Sequence, residues 1–119
     1  MTLNILGTSY EIIRRNYADD SFFAKESCDG YCDKIEKQIV ICNTKTHPTY
    51  QNDAETTCAK AEKATLRHEI VHAFLYESGL DSSSGHVLNL GWAENEEMID
   101  WFALQSPKLI AAFTAADAL

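Results

Sequence analysis

Short apolar stretches separated by turn residues occupy the first third of the chain, and longer helix-forming stretches follow. Leu3-Asn4-Ile5-Leu6 and Tyr10-Glu11-Ile12-Ile13-Arg14 flank Gly7-Thr8-Ser9, which predicts two strands joined by a turn. Lys37-Gln38-Ile39-Val40-Ile41-Cys42 is short and β-branched, which predicts a third strand. These strands should form a small, mostly antiparallel sheet. Residues 19–30 are acidic and turn-rich, with Phe22-Phe23 as their apolar anchor, and have room for one short helical turn. Asp29-Gly30 reads as a turn leading into Tyr31-Cys32-Asp33.

After Pro48 the pattern changes. Residues 52–78 are rich in Ala, Glu, Lys and Leu without a breaker, and Gly79 stands where a helix C-cap is expected. Asn52 with Glu55 fits a capping box, and Leu66, Ile70, Ala73 and Phe74 form an apolar stripe expected to face the sheet. Residues 79–91, containing Ser82-Ser83-Ser84-Gly85, read as a loop long enough to border a site. A second helix is predicted from about Ala93 to Gln105. Ser106-Pro107 should break it and start another turn or helix, packed through Leu109, Ile110 and Phe113. The predicted fold class is therefore α+β, with the sheet packed on a long helix and a second helix beside it.

A chain of 119 residues, 45% hydrophobic and 24% charged, suits one globular domain over residues 1–119. A formal net charge of -8, with Asp and Glu outnumbering Lys and Arg 18 to 10, argues against non-specific binding to nucleic acid or to an anionic membrane. No apolar run is long enough to cross a bilayer, and the N-terminal residues lack the pattern of a secretory signal, so a soluble, cytoplasmic protein is expected. The cysteines Cys28, Cys32, Cys42 and Cys58 are then expected as reduced thiols. Cys28-x3-Cys32 has the spacing to begin a second metal site but no second close pair to complete it, and small buried residues are the plainer reading.

The chemistry is concentrated in His68-Glu69-Ile70-Val71-His72. Four residues of helix rise about 6 Å and turn about 40° beyond a full turn, so both imidazoles project from one face and can reach one metal. Glu69, about 100° round from His68, is placed to hold a proton beside that metal rather than to bind it. A catalytic zinc needs a third protein ligand. Glu96, with Asp100 one turn later, offers a carboxylate for the metal and a second to accept a hydrogen bond from the far nitrogen of a ligand histidine. Glu97 and Glu94 are rivals, but have Trp101 and Met98 rather than an acid four positions on.

A His-Glu-x-x-His motif followed some two dozen residues later by Glu-x-x-x-Asp resembles the gluzincins, the thermolysin-like zinc peptidases. The length, the preceding sheet, Leu66-Arg67-His68-Glu69 and Asp100-x-Phe102-Ala103 look most like the ImmA/IrrE-like metallopeptidases of bacteria and phages, chiefly over residues 65–102. The resemblance implies a minimal, zincin-like gluzincin: zinc on His68, His72 and Glu96, Glu69 as general base, and Asp100 as the orienting group. Several members of that family cleave regulators such as transcriptional repressors. A metzincin is excluded, since the positions of its third histidine and glycine hold Ser78 and Leu75.

The expected activity is zinc-dependent hydrolysis of a protein or peptide substrate. His86, Tyr31 and Tyr76 are the candidate donors to the developing oxyanion, and strand 37–42 is a candidate edge for pairing with an extended substrate. The competing expectation is a weakly active or inactive metal-containing module that binds or regulates a partner. Oligomeric state is not legible in the sequence.

Overall fold

The computed structural model describes residues 1–81 and 92–115. Strands β1 (Thr2–Ile5) and β2 (Thr8–Arg15) form an antiparallel hairpin in which Ile5 faces Thr8. Its turn is Leu6-Gly7 alone, at φ 50° and 94°, and Asn4 Oδ1 accepts from the Gly7 amide at 2.9 Å. Two residues at positive φ match the twist of the flanking strands, so Thr8 and Ser9, expected in the turn, instead begin β2.

Helix α1 (Ser21–Glu26) is capped by Asp20, whose carboxylate accepts from the Phe22 amide at 3.0 Å, and ends where Ser27 turns to φ 50°. Strand β3 (Gly30–Asp33) then runs back down the sheet, and β4 (Gln38–Cys42) returns beside it. Because β3 is the return leg, β4 starts at the same end as β2 and pairs with it in parallel; the order is β1-β2-β4-β3. The sheet is therefore mixed.

This topology overturns the edge position expected for residues 37–42. Strand β4 lies inside the sheet, and the edges are β1 and β3. Ile39, Val40, Ile41 and Cys42 are all buried, as an unbroken apolar run requires when both faces are covered. Ile39 packs with Ile5, Tyr10 and Ala73, with Leu66 and Ile70 leaning on the same cluster. On the opposite face Val40 and Cys42 pack with Phe23 of α1.

Helix α2 (Glu55–Glu77) begins three residues later than expected. Ala54 is its N-cap, without a side-chain cap bond, so the Asn52–Glu55 capping box does not form. Gly79 at φ 82° follows its C-terminal cap, the conformation that favours glycine there. Leu66, Ile70 and Ala73 face the sheet, but Phe74 is 41% exposed, because one residue turns it about 100° away from Ala73. Ion pairs and hydrogen bonds hold the helix to the sheet at both ends. Glu62 accepts from Arg14 and Thr44, and Glu77 from Thr8, Tyr10 and Lys37.

Helix α3 (Glu96–Ala115) packs on α2 and continues through Pro107, where a break was expected. Proline cannot supply the N–H that would bond the carbonyl of Ala103. Arg67 Nε of α2 donates to that carbonyl at 2.5 Å instead, so the helix continues without an orphaned acceptor. Ile110, expected to pack inward, is exposed; the Phe113 side chain and residues 82–91 of the expected 79–91 loop lie outside the described residues. Among the described residues no helix is long and apolar enough to cross a membrane.

Candidate metal centre

Helix α2 carries the half-buried His68 and His72, whose Nε2 atoms lie 3.0 Å apart. Glu96, the first residue of α3, meets them from the neighbouring helix: Oε2 is 3.1 Å from His68 Nε2, and Oε1 is 3.4 Å from His72 Nε2. One ligand atom from each lies within 4.8 Å of the others, and the group can hold a metal ion. Two imidazole nitrogens with a carboxylate oxygen form a mixed N/O donor set suited to zinc-like borderline cations.

The start of α3 determines which acid arrives. Asn95 Oδ1 accepts from the Met98 amide at 2.9 Å, capping the helix immediately before Glu96. Ile99 and Ala103, one turn apart, are buried on α3. Glu94 and Glu97 are not part of the metal group; Glu97 lines a different cavity with Trp92, Met98 and Trp101. Asp100, one turn beyond Glu96, places Oδ1 2.7 Å from His68 Nδ1. A bond from Nδ1–H to Asp100 leaves the Nε2 lone pair directed at the group.

Glu69 is 6% exposed, beneath the histidines. Burial pushes its carboxyl up to about 7, against the opposing pull of His68. Burial likewise lowers His72, while Glu96 acts to raise it. Two cavities meet at this carboxylate. One, of about 470 Å³, is lined by Cys28, Tyr31, Cys32, Lys34, His68, Glu69, His72 and Glu96 among others. The other, of about 410 Å³, is lined by Asp29, Gly30, Tyr50, Ala61, Thr65, His68, Glu69 and Asp100 among others. Cys28 and Gly30 border both, so the two cavities adjoin at the start of edge strand β3, beside His68 and Glu69.

Gly30 permits this arrangement, since a Cβ there would stand 2.6 Å from Thr65 Cγ2 and 2.9 Å from the Val40 carbonyl oxygen. Helix α2 thus lies against the strand one turn before Glu69.

The four cysteines are free thiols. Burial raises Cys28, and pushes Cys32 up to about 12 and Cys42 to about 11, so these remain protonated at neutral pH. None joins the metal group. Of the expected oxyanion donors, Tyr31 lines the larger cavity, but its hydroxyl donates to Asp20 Oδ2 at 2.7 Å and accepts from Arg15. Tyr76 lines neither cavity; its ring faces the ammonium groups of Lys34 and Lys37. His86 lies outside the described residues.

Lys34, Asp29 and Tyr50 were not expected here. Lys34 stands in the β3–β4 turn, and Asp29 bonds Tyr50 at 2.9 Å and His47 at 3.2 Å. Charged and polar residues in turns read in sequence as solvated surface. No protein-family model matches this chain, and no curated protein or solved structure matches it either, so its functional reading rests on its own residues.

Proposed function

We propose that this chain is a zinc-dependent metallopeptidase of the gluzincin type, similar to the ImmA/IrrE-like enzymes and acting on a cytoplasmic protein or peptide. The observation that carries the reading is the convergence of His68, His72 and Glu96 beside a buried carboxylate, Glu69, where two cavities meet. Zinc bound there would supply Lewis acidity, polarising a carbonyl and lowering the pKa of a coordinated water to about 7. His68, His72 and Glu96 would hold it, with Asp100 orienting His68.

Glu69 does the proton transfer. Its carboxylate takes a proton from the attacking water and returns it to the leaving amine, and its buried place beside the metal group, where the two cavities meet, suits it to both transfers. The exposed edge of β3 supports an extended substrate by main-chain hydrogen bonds, with side chains entering the flanking cavities.

The test is zinc loading followed by screening casein and peptide libraries. Glu69→Gln should retain zinc and lose hydrolysis by about 10²–10⁴-fold. His68→Ala or His72→Ala should lose both zinc and hydrolysis. A chain that takes up no zinc would end the proposal.

One observation favours the alternative, a metal-stabilised module that binds a partner. Trp92, Trp101 and Leu104 are each about half exposed and line one cavity on α3. Persistent inactivity of the zinc-loaded chain in the same screen would select this reading.

A further inference from the structure

Lys34 directly follows β3 and lines the cavity that also contains His68, Glu69, His72 and Glu96. Among the described residues no other lysine or arginine lines either cavity that reaches Glu69. Its position is constrained from two sides. Nζ donates to Asp81 Oδ2 at 2.7 Å, and the ring of Tyr76 lies 5.6 Å from the ammonium. Asp81 is itself buried, which makes it a fixed anchor rather than a mobile surface partner.

An ammonium has three N–H donors, and the bond to Asp81 uses one. Among the described residues the other charged side chains lining this cavity, besides the imidazoles of His68 and His72, are the acids Glu26, Glu69 and Glu96, so negative charge developing on a substrate there requires a cationic or hydrogen-bonding partner. Tyr31 and Tyr76 do not supply it, the first with its hydroxyl donated to Asp20 and the second lining neither cavity.

We propose that Lys34 is the catalytic residue that donates a hydrogen bond to the substrate oxyanion, with Asp81 positioning it. The assignment rests on the peptidase reading above. Lys34 keeps its protons throughout. As water oxygen bonds to the carbonyl carbon, the C=O π electrons move to oxygen, where the ammonium bonds them. They return as the C–N bond breaks, and Glu69 gives the proton it took from water to the leaving nitrogen.

The test compares zinc-loaded wild-type chain with Lys34→Met and Lys34→Arg. A set of phosphinic tripeptides, anionic and tetrahedral, is measured against uncharged ketomethylene isosteres of the same sequences. The wild type should hold the phosphinic peptides more tightly, Lys34→Met should cut that preference by about 10²-fold, and Lys34→Arg should restore most of it. On any cleaved peptide, kcat should fall similarly while KM stays within about threefold.

A wild type that takes up zinc but shows no preference for the anion overturns the assignment. So does a Lys34→Met chain that weakens both ligand classes equally, which marks a structural role; circular dichroism establishes that the variants are folded. Failure of the wild type to bind zinc defeats the peptidase reading and this assignment with it. Anion preference that depends on Lys34 without peptide cleavage supports the assigned contact and counts against the peptidase reading alone.

Discussion

Asp100 Oδ1 lies 2.7 Å from His68 Nδ1, so the helix that brings Glu96 to the metal group also fixes the ring of one of its partners. The spacing Glu96-x-x-x-Asp100 thus acts on two shells of one centre through a single turn of α3. A ring held at its far nitrogen has its tautomer and orientation fixed.

Asp100→Ala should therefore weaken zinc binding by about 10- to 100-fold without unfolding the chain. Competition with a chromophoric chelator measures this directly. An affinity equal to wild type would show that the Asp100–His68 contact does not tune the centre.

Gly30→Ala should destabilise the chain by about 1–3 kcal/mol, the usual cost of overpacking. The added Cβ meets both the Thr65 methyl and the Val40 carbonyl oxygen. Thr65→Ala in the same chain should recover only part of the loss, because the backbone oxygen remains. Denaturant midpoints of the single and double variants decide this; full recovery would place the whole conflict on Thr65.

Arg67→Met should cost about 1.5–3 kcal/mol, since it removes a charged donor from the carbonyl that Pro107 leaves open. In a Pro107→Ala background the amide of residue 107 can bond Ala103 itself, and the cost of Arg67→Met should fall to less than half. A double-mutant cycle on unfolding free energies gives the coupling. Additive effects would show that Arg67 does not compensate for the proline.

Glu62 gives the fold an acid-sensitive tie. Burial alone would raise its pKa, but the hydrogen bonds from Arg14 and from the Thr44 amide and hydroxyl outweigh that and hold it below the ordinary value. A carboxylate held low when folded contributes stability above its unfolded pKa of about 4.3, and loses it as pH falls through the lower folded value. Glu62→Gln should therefore be less stable than wild type at neutral pH, and the gap should close in acid. Thermal unfolding from pH 7 to pH 3 measures it, and a constant gap would refute the tie.

Local pattern was sufficient for the body of the long helix and for the face its two histidines share. His68 and His72 share a face of α2 because helix geometry relates positions four apart wherever the helix lies. Gly79 marks its end for an equally local reason, the left-handed backbone that a C-terminal cap favours. The buried run 39–42 likewise announced a strand, though not where that strand lies.

What lay beyond local pattern was decided by packing. Four-residue β3 carries no alternation to betray it, yet it takes the sheet edge and moves β4 inside. Pro107 reads as a stop until Arg67, forty residues earlier, supplies the missing donor. The chain's own spacing established which pairs of side chains share a helical face. Only the docking of α3 on α2, and of α2 on Gly30, brought Glu96 to the imidazoles, buried Glu69 and set Lys34 in the same cavity, because those relations depend on contacts between segments far apart along the chain.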